Sequence, residues 1–212
     1  MPAPLKKKLD LYRIHKAEYV APKEPVLVET QPAQYLAISG KGSPESGELE
    51  KKIVALYRVA FALRMAKKFA GKAYTMCHLE GLWWGKGGAG DPVNEPPSDL
   101  KWKLIMRVPD FVEEKDVREA AATLLKRGSV REVARVKLEK IDEGPCVQML
   151  HVGPYGRENE TVAQMMDFAK AEGLRCWGKH HEIYLSDPRR IPLERLRTII
   201  RHPVTVARRR AA

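Results

Sequence analysis

Apolar residues recur at helical spacing in two long segments of the chain and at strand-like spacing in several shorter ones. Steps of three and four residues between positions 48 and about 69, and again between 162 and 169, predict two amphipathic helices. A strand-like run precedes each helix, at residues 34–39 (QYLAIS) and 146–152 (CVQMLHV). The pattern therefore predicts a mixed chain in which strands lead into helices.

The segments that follow these two helices are similar to each other. Residues 74–84 read YTMCHLEGLWW, and residues 177–187 read WGKHHEIYLSD. Sliding one over the other places HLE at 78–80 on HHE at 180–182, so that each segment carries a glutamate at the same place. We interpret the chain as two copies of one strand-helix-strand-strand unit.

The other segments complete one domain over residues 31–205. It comprises repeat one (about 31–84), a loop (85–99), a middle strand and helix (100–141, with the strand at 102–108, the helix at about 113–126 and a further strand at 131–141), repeat two (about 144–187) and a C-terminal helix (192–201), between a basic N-terminal extension (1–30) and an arginine-rich tail (206–212). The loop holds fifteen residues rich in glycine and proline. Such a length indicates either a mobile flap over a site or simple disorder.

These elements predict an α+β fold with one antiparallel sheet, helices on one face and a concave ligand groove. Because successive side chains of a strand point to opposite faces, one set from each closing strand packs under the helices. We expect the other set to line a groove on the open face.

Composition limits where such a chain can act. No apolar run among the 212 residues approaches the roughly 20 needed to span a bilayer, and no apolar signal-peptide core follows the lysines at 6–8. We expect a cytoplasmic protein. Its three cysteines are widely spaced, which argues against a disulfide framework and a structural zinc site.

The net charge of +11 is concentrated at the two ends. Residues 1–24 carry +3 and residues 189–212 carry +7, so residues 25–188 carry only +1. A protein that reads nucleic acid places its basic stripe on its folded elements. We expect no specific nucleic acid partner and no membrane partner.

Two glutamates are the sharpest candidates for chemistry. Alternation places Glu80 on the same side of the first closing strand as His78 and Trp84. It places Glu182 on the same side of the second closing strand as His180 and Tyr184. A carboxylate among aromatic rings loses solvation, which suits a general base or a counter-charge for a flat organic cation. The alternative is a glutamate at the rim, paired with a lysine or arginine. Of two consecutive tryptophans, one indole is core and the other lines the groove.

The sequence does not favour a metal or a cofactor. His180 and His181 are adjacent on a strand, so they point to opposite faces and cannot both bind one ion without distortion. The glycine-rich run at 85–90 lacks the Ser or Thr and the following helix of a phosphate-binding loop.

Several strings place the chain near a known family. They are PAQYLAISGKGSP (32–44), LEGLWW (79–84), RVPDFV (107–112), CVQMLHVGPY (146–155) and HHEIYLSDPRR (180–190). On these strings the chain resembles the GyrI-like small-molecule-binding domain family, and in particular its stand-alone members. The resemblance implies a duplicated unit with a concave groove that takes hydrophobic aromatic small molecules. Residues 1–30 show no helix-turn-helix pattern, so we expect no direct promoter control.

The resemblance also implies roles for particular residues. In multidrug-sensing relatives a glutamate in the position of Glu182 faces aromatic walls and binds cationic drugs, while some stand-alone members hydrolyse cyclopropane-bearing, DNA-alkylating natural products. On that basis we expect Glu182 to be the base that activates water, with Glu80 as its pseudosymmetric partner. The expected substrate-binding residues are His78, Trp83, Trp84, Trp102, Tyr155, His180 and Tyr184. The alternative is a non-catalytic module that sequesters amphipathic or cationic molecules.

Overall fold

A computed structural model describes residues 8–88 and 96–207 of the chain. The helices are α1 (Leu11–Ile14), α2 (Lys16–Tyr19), α3 (Glu48–Phe69), α4 (Glu114–Lys126) and α5 (Asn159–Ala171). The strands are β1 (Val26–Glu29), β2 (Ala33–Lys41), β3 (Glu80–Trp84), β4 (Lys101–Val108), β5 (Lys137–Ile141), β6 (Pro145–Val152), β7 (Leu174–Cys176), β8 (His180–Tyr184) and β9 (Arg197–Val206).

The strands form one antiparallel sheet in the order β1-β6-β9-β8-β3-β4-β2-β5, with β7 paired to β9. The chain makes β2-α3-β3-β4 and then repeats the same plan as β6-α5-β8-β9. The second strands of the two units, β3 and β8, meet at the centre of the sheet. The predicted α+β fold with a duplicated strand-helix-strand-strand unit is confirmed. The third strand of the first unit is β4, which the sequence had placed between the repeats.

Helices α3, α4 and α5 pack on one side of the sheet, here called the helix face. Leu56, Val59 and Leu63 of α3 are buried against β2 and β4, and a separate cluster joins α5 to β6 and β9. Helix α4 begins with a capping box between Glu113 and Asp116, which satisfies two backbone N–H groups at its start. The prediction of helices on one face is therefore confirmed for the three long helices.

Residues 8–25, here called the N-terminal strap, belong to the folded domain. Leu11 packs into the core of the helix face, whereas Tyr19 lies on the opposite face against Leu150, Ile183 and Ile199. The strap therefore wraps around the sheet from one face to the other. The sequence had assigned this segment to an extension ahead of the domain, and β1, which follows it, pairs with β6.

The predicted C-terminal helix is wrong. Residues Leu193–Arg195 form one 3-10 turn, and Arg197–Val206 form the longest strand, β9. Thr198, Ile199 and Ile200 are β-branched, and β9 has a hydrogen-bonded neighbour on both sides, so the sheet supplies partners for its backbone. The strand predicted at 131–141 is likewise shorter, because Arg131–Arg135 form a 3-10 turn before β5.

Parts of three predicted segments lie outside the described residues. These parts are 1–7 of the basic N-terminal extension, 89–95 of the loop interpreted as a flap or as disorder, and 208–212 of the arginine-rich tail. Cys77, Cys146 and Cys176 are free thiols, of which the first two are buried. Among the described residues, no helix combines the length and the apolar composition needed to cross a membrane.

Candidate functional site

A groove of about 1010 Å³ lies on the helix face, above the central strands β3 and β8. Its walls come from α3 and from the start of α5, the helices of the two repeats. The residues that line it include Glu50, Ile53, Tyr57, His78, Trp83, Tyr155, Glu158, His180, Glu182 and Tyr184. A cavity of this size, mostly apolar with a few polar groups, is typical of a small-molecule site.

The groove lies on the face opposite to the one predicted from the sequence. Trp83 pairs with His180 across the central strands, and Gly81 pairs with Glu182, so all four residues share the helix face. The central strands carry no helix directly above them, because α3 packs on the strands of one repeat and α5 on those of the other. The groove is the space left between these two helices.

Glu182 lies at the floor of the groove in an ionic group. Its Oε1 is 3.2 Å from Nε2 of His180, and Oε2 of Glu158 is 3.6 Å from the same nitrogen. All three side chains are buried. Burial alone would lower the pKa of His180, but hydrogen bonds to the two carboxylates and their charges raise it to about 10. His180 is therefore an imidazolium held between two carboxylates at neutral pH.

A second histidine fixes the orientation of this imidazolium. Nδ1 of His180 lies 3.0 Å from Nε2 of His202, and both rings are buried. Burial and the positive charge of His180 lower the pKa of His202 to about 3. His202 is therefore neutral and accepts the Nδ1 proton of His180, so Nε2 of His180 is directed at the carboxylates.

Aromatic side chains build the rest of the floor. The indole N–H of Trp83 donates to the Tyr184 hydroxyl at 3.1 Å, and the rings of Tyr155 and Tyr184 meet edge to face with centroids 5.6 Å apart. Burial and the charge of Glu182 raise the pKa of Tyr184 well above its usual value and that of Tyr155 to about 12. Both phenols therefore keep their protons at neutral pH and can donate hydrogen bonds.

Glu80 does not lie in the groove. It pairs with Ile183 across the strands and faces the other side of the sheet, where it is fully buried. Its Oε2 is 3.0 Å from Nε2 of His181, and its Oε1 accepts a hydrogen bond from the Tyr19 hydroxyl at 3.2 Å. The expectation that Glu80 and Glu182 face one site is therefore wrong.

Glu80 instead belongs to a buried ion cluster on the opposite face, formed by Glu18, Glu80, Arg107, Glu143, His181 and Arg201. Glu143 lies 2.9 Å from Nδ1 of His181. Burial alone would lower the pKa of His181, but the adjacent carboxylates raise it to about 9. With His181 protonated the cluster holds three positive and three negative groups, so its charges balance.

The other predicted ligand-binding residues divide between three places. His78, Trp83, Tyr155, His180 and Tyr184 line the groove. Trp102 is fully buried beneath it, with its ring centroid 6.4 Å from that of Trp83. Trp84 lies on the opposite face under the ammonium of Lys179. Of the two consecutive tryptophans, Trp83 lines the groove, and Trp84 is half-buried rather than core.

Sequence reasoning missed Glu158, His202 and the wall of α3. Glu158 directly precedes α5. The sequence feature that could have identified it is a carboxylate at the start of a helix, just after the Gly-Pro-Tyr-Gly turn. His202 lies on β9, the first half of which was predicted as a helix. The α3 residues Ile53 and Tyr57 belong to the apolar stripe that predicted the helix, and they face the groove.

One group among the described residues has donor atoms close enough to hold a metal ion. The donor atoms of Glu158, His180 and Glu182 lie within 4.8 Å of one another. Two carboxylates and an imidazole suit zinc, manganese or iron, but an ion would have to displace the proton that His180 holds here. The three residues already form a hydrogen-bonded ionic group without a metal.

The fold and the groove together define a class of protein: a duplicated α+β domain with a groove between helices α3 and α5. The sequence profile for the GyrI-like small molecule binding domain matches residues 23–205. The chain belongs to this GyrI-like family. A search of curated proteins finds no significant match.

Three solved structures of proteins from Listeria innocua are similar along their full length. An uncharacterized conserved protein is 37% identical, with a TM-score of 0.85 over 93% of this chain and 100% of that one. Two structures described as a hydrolase are 35% and 36% identical, with TM-scores of 0.83 and 0.84. They cover 93% and 94% of this chain and 100% of their own.

Proposed function

We propose that this protein hydrolyses strained, cyclopropane-bearing compounds of the DNA-alkylating kind, with the Glu182 carboxylate activating water. The observation that carries the proposal is the position of Glu182 at the floor of the groove, only 9% exposed and hydrogen-bonded to the imidazolium of His180. A carboxylate held in this way can accept a proton from a water molecule beside a bound substrate. Glu80 takes no part, because it faces the other side of the sheet.

The reaction is an addition of water to a cyclopropane conjugated with a dienone. The water oxygen bonds to a ring carbon while a carbon–carbon bond of the strained ring breaks, and the released electron pair turns the dienone into a phenolate. Glu182 takes the proton that water loses and returns it to the phenolate oxygen. Tyr155 donates a hydrogen bond to that oxygen as its negative charge develops, while the Tyr184 hydroxyl donates to Glu182 and orients it.

The walls of the groove suit a flat aromatic substrate. Trp83, Tyr155 and Tyr184 present ring surfaces beside Glu182, and Ile53 and Tyr57 form the α3 side. Flat surfaces of this kind hold a planar molecule with its reactive carbon near the carboxylate, which removes much of the entropic cost of the reaction.

The similar structures from Listeria innocua support an enzyme over a passive binder. Two of them are described as hydrolases and share more than a third of their residues with this chain over their whole length. The substrate itself comes from the resemblance of the sequence motifs to stand-alone family members.

One observation favours a second candidate, a module that binds amphipathic cations without turning them over. Glu158 and Glu182 place two carboxylates beside His180. Carboxylates beneath apolar and aromatic walls suit a flat organic cation.

Incubation with a cyclopropane-bearing alkylator distinguishes the two candidates. We expect the wild type to give the ring-opened hydrate, measured by liquid chromatography and mass spectrometry, and Glu182→Gln to bind the compound but form at least about a hundred-fold less product, as for loss of a general base. Binding by both proteins without product in either would contradict the hydrolase and leave the binding module.

The matched control is Glu50→Gln. Glu50 lines the groove from α3, so the change removes the same charge without touching the ionic group of Glu182. We expect its turnover to stay within about three-fold of the wild type, the usual effect of a surface change. Equal loss of product in both variants would mean that overall groove charge, and not Glu182, determines turnover.

A further inference from the structure

Trp84 and four lysines lie together on the opposite face of the sheet, away from the groove. The strand register pairs Lys41 with Lys101 and Lys101 with Trp84. Lys103 follows two residues along β4 on the same face, and the ammonium of Lys179 lies 4.1 Å from the centroid of the Trp84 ring. We call these five residues the lysine–tryptophan row.

Stability does not explain the pairing of Lys41 with Lys101 in this row. Lys41 and Lys101 are exposed and directly opposite each other, a position in which like charges destabilise a sheet. Burial and the charge of Lys103 lower the pKa of Lys179, although Glu139 and Glu143 oppose the effect. Residues 25–188 carry a net charge of only +1, so four lysines in one row represent a segregation of charge.

The acidic side chains nearby do not cancel the row. Glu139 forms an ion pair with Lys103, and Glu143 is committed to His181 and Arg201 in the buried ion cluster. The ammonium groups of Lys41, Lys101 and Lys179 therefore keep a net positive potential, which attracts an anionic partner.

An open depression adjoins the row at the end of the sheet, where β2 and β4 meet the start of α3. It measures about 380 Å³ and is lined by Ser39, Gly40, Lys41, Glu48, Lys52, Trp84 and Lys101. Lys52 is occupied by Glu48 and by the Ser39 carbonyl, which leaves Lys41 and Lys101 to meet a ligand. An indole ring can stack on a nucleobase, and the ammonium groups at its edge can bind the phosphate joined to that base.

We propose that the lysine–tryptophan row binds single-stranded nucleic acid without base specificity, with a base stacked on Trp84 and backbone phosphates on Lys41 and Lys101. A single strand fits better than a duplex because stacking requires the free face of a base, which a duplex buries between its neighbours. The site lies on the opposite face from the groove, so its test does not depend on hydrolysis.

The test measures fluorescence anisotropy of a labelled oligothymidylate of about twelve nucleotides, within the usual range for such sites. We expect the double variant Lys41→Gln, Lys101→Gln of the full chain to lower affinity at least about ten-fold. The slope of log affinity against log salt should shrink by about 1.4, since each phosphate contact on a single strand contributes about 0.7.

Changes at Trp84 test the stacking. Trp84→Leu should lower affinity about ten-fold, and Trp84→Phe should keep most of it, because stacking tolerates any aromatic ring. Near-ultraviolet circular dichroism of each variant checks that the fold is retained. Equal affinity of wild type and Trp84→Leu would overturn the proposal.

The matched control is the double variant Lys68→Gln, Lys126→Gln. These lysines are exposed on α3 and α4, so the change removes the same charge from the other side of the protein. Equal weakening by this variant would show that net charge alone binds the strand and would overturn the proposal. Binding of a duplex, or of a free adenosine nucleotide, as tightly as the oligothymidylate would also overturn it.

Discussion

Gly81 allows two aromatic side chains to meet at the floor of the groove. A Cβ atom at this position would lie 2.7 Å from both the Trp83 indole nitrogen and the Tyr184 hydroxyl. One of the two rings would have to move. We expect Gly81→Ala to weaken ligand binding about ten-fold and to lower the free energy of unfolding by about 1–3 kcal/mol, a usual cost of overpacking. Ligand titration and urea denaturation measure the two effects.

Gly87→Ala is the control for this change. A Cβ at Gly87 would have no atom within 4 Å, and its backbone is compatible with alanine. We expect binding and stability close to the wild type. If Gly81→Ala behaved in the same way, the groove would not depend on the missing side chain.

The same residue explains why the candidate site was only half predicted. The motif alignment placed Glu80 on Glu182, whereas the strand register places Gly81 on the same face as Glu182. Because side chains alternate along a strand, a slip of one residue transfers every side chain to the other face. Glu182, His180 and Tyr184 were identified together because they share one short strand, but the alignment could not show which face holds the groove.

At the scale of elements, the N-terminal strap is held by buried polar contacts. Glu18 forms an ion pair with Arg107 at 2.8 Å, the carbonyl of Ala17 accepts a hydrogen bond from Gln148 at 2.8 Å, and the carbonyl of Glu18 accepts one from Arg201. We expect Glu18→Gln to lower the free energy of unfolding by about 3–5 kcal/mol, because it leaves the buried Arg107 without its counter-charge. Urea denaturation measures the loss.

Glu24→Gln makes the same substitution at an exposed position of the strap. Its expected effect stays within about 0.5 kcal/mol, as for most surface changes. A strap that contributed little to folding would give two indistinguishable variants.

The long helices could be predicted from the sequence, and the strap and the last strand could not. Helix α3 begins and ends where its apolar spacing predicts, because one continuous face of it is buried. The spacing of Leu193, Leu196, Ile199 and Ile200 also fits a helix, and only pairing with two distant strands makes residues 197–206 a strand. The strap depends on partners more than 80 residues away, which local patterns do not reveal.

Over the whole molecule, two buried imidazolium groups make stability depend on pH. The pKa values of His180 and His181, about 10 and about 9, exceed the value of about 6.5 for the unfolded chain. The stabilisation is therefore fully present below about pH 6.5 and is lost as the pH rises through 9 and 10. We expect the free energy of unfolding to fall over that range by up to about 1.4 kcal/mol per pH unit for each histidine.

Urea denaturation between about pH 6.5 and 10 checks this dependence. His181→Gln removes one of the two groups, so the free energy of unfolding of this variant should fall less steeply with rising pH than that of the wild type. On the acid side, His181 and Arg201 hold the pKa of the buried Glu143 at about 2, so its contribution is lost only as the pH falls from about 4.5 to 2. A wild-type stability that stayed flat above pH 6.5 would contradict the assigned protonation of both histidines.

Consecutive residues of β8 carry these two positive charges, with His180 facing the groove and His181 facing the buried ion cluster. Only one layer of backbone separates them, and neither side chain is screened by water. A cation bound beside Glu182 therefore lowers the pKa of His181, although it never touches that ring. Nuclear magnetic resonance titration of the His181 imidazole should consequently detect occupancy of the groove from the reverse side of the sheet.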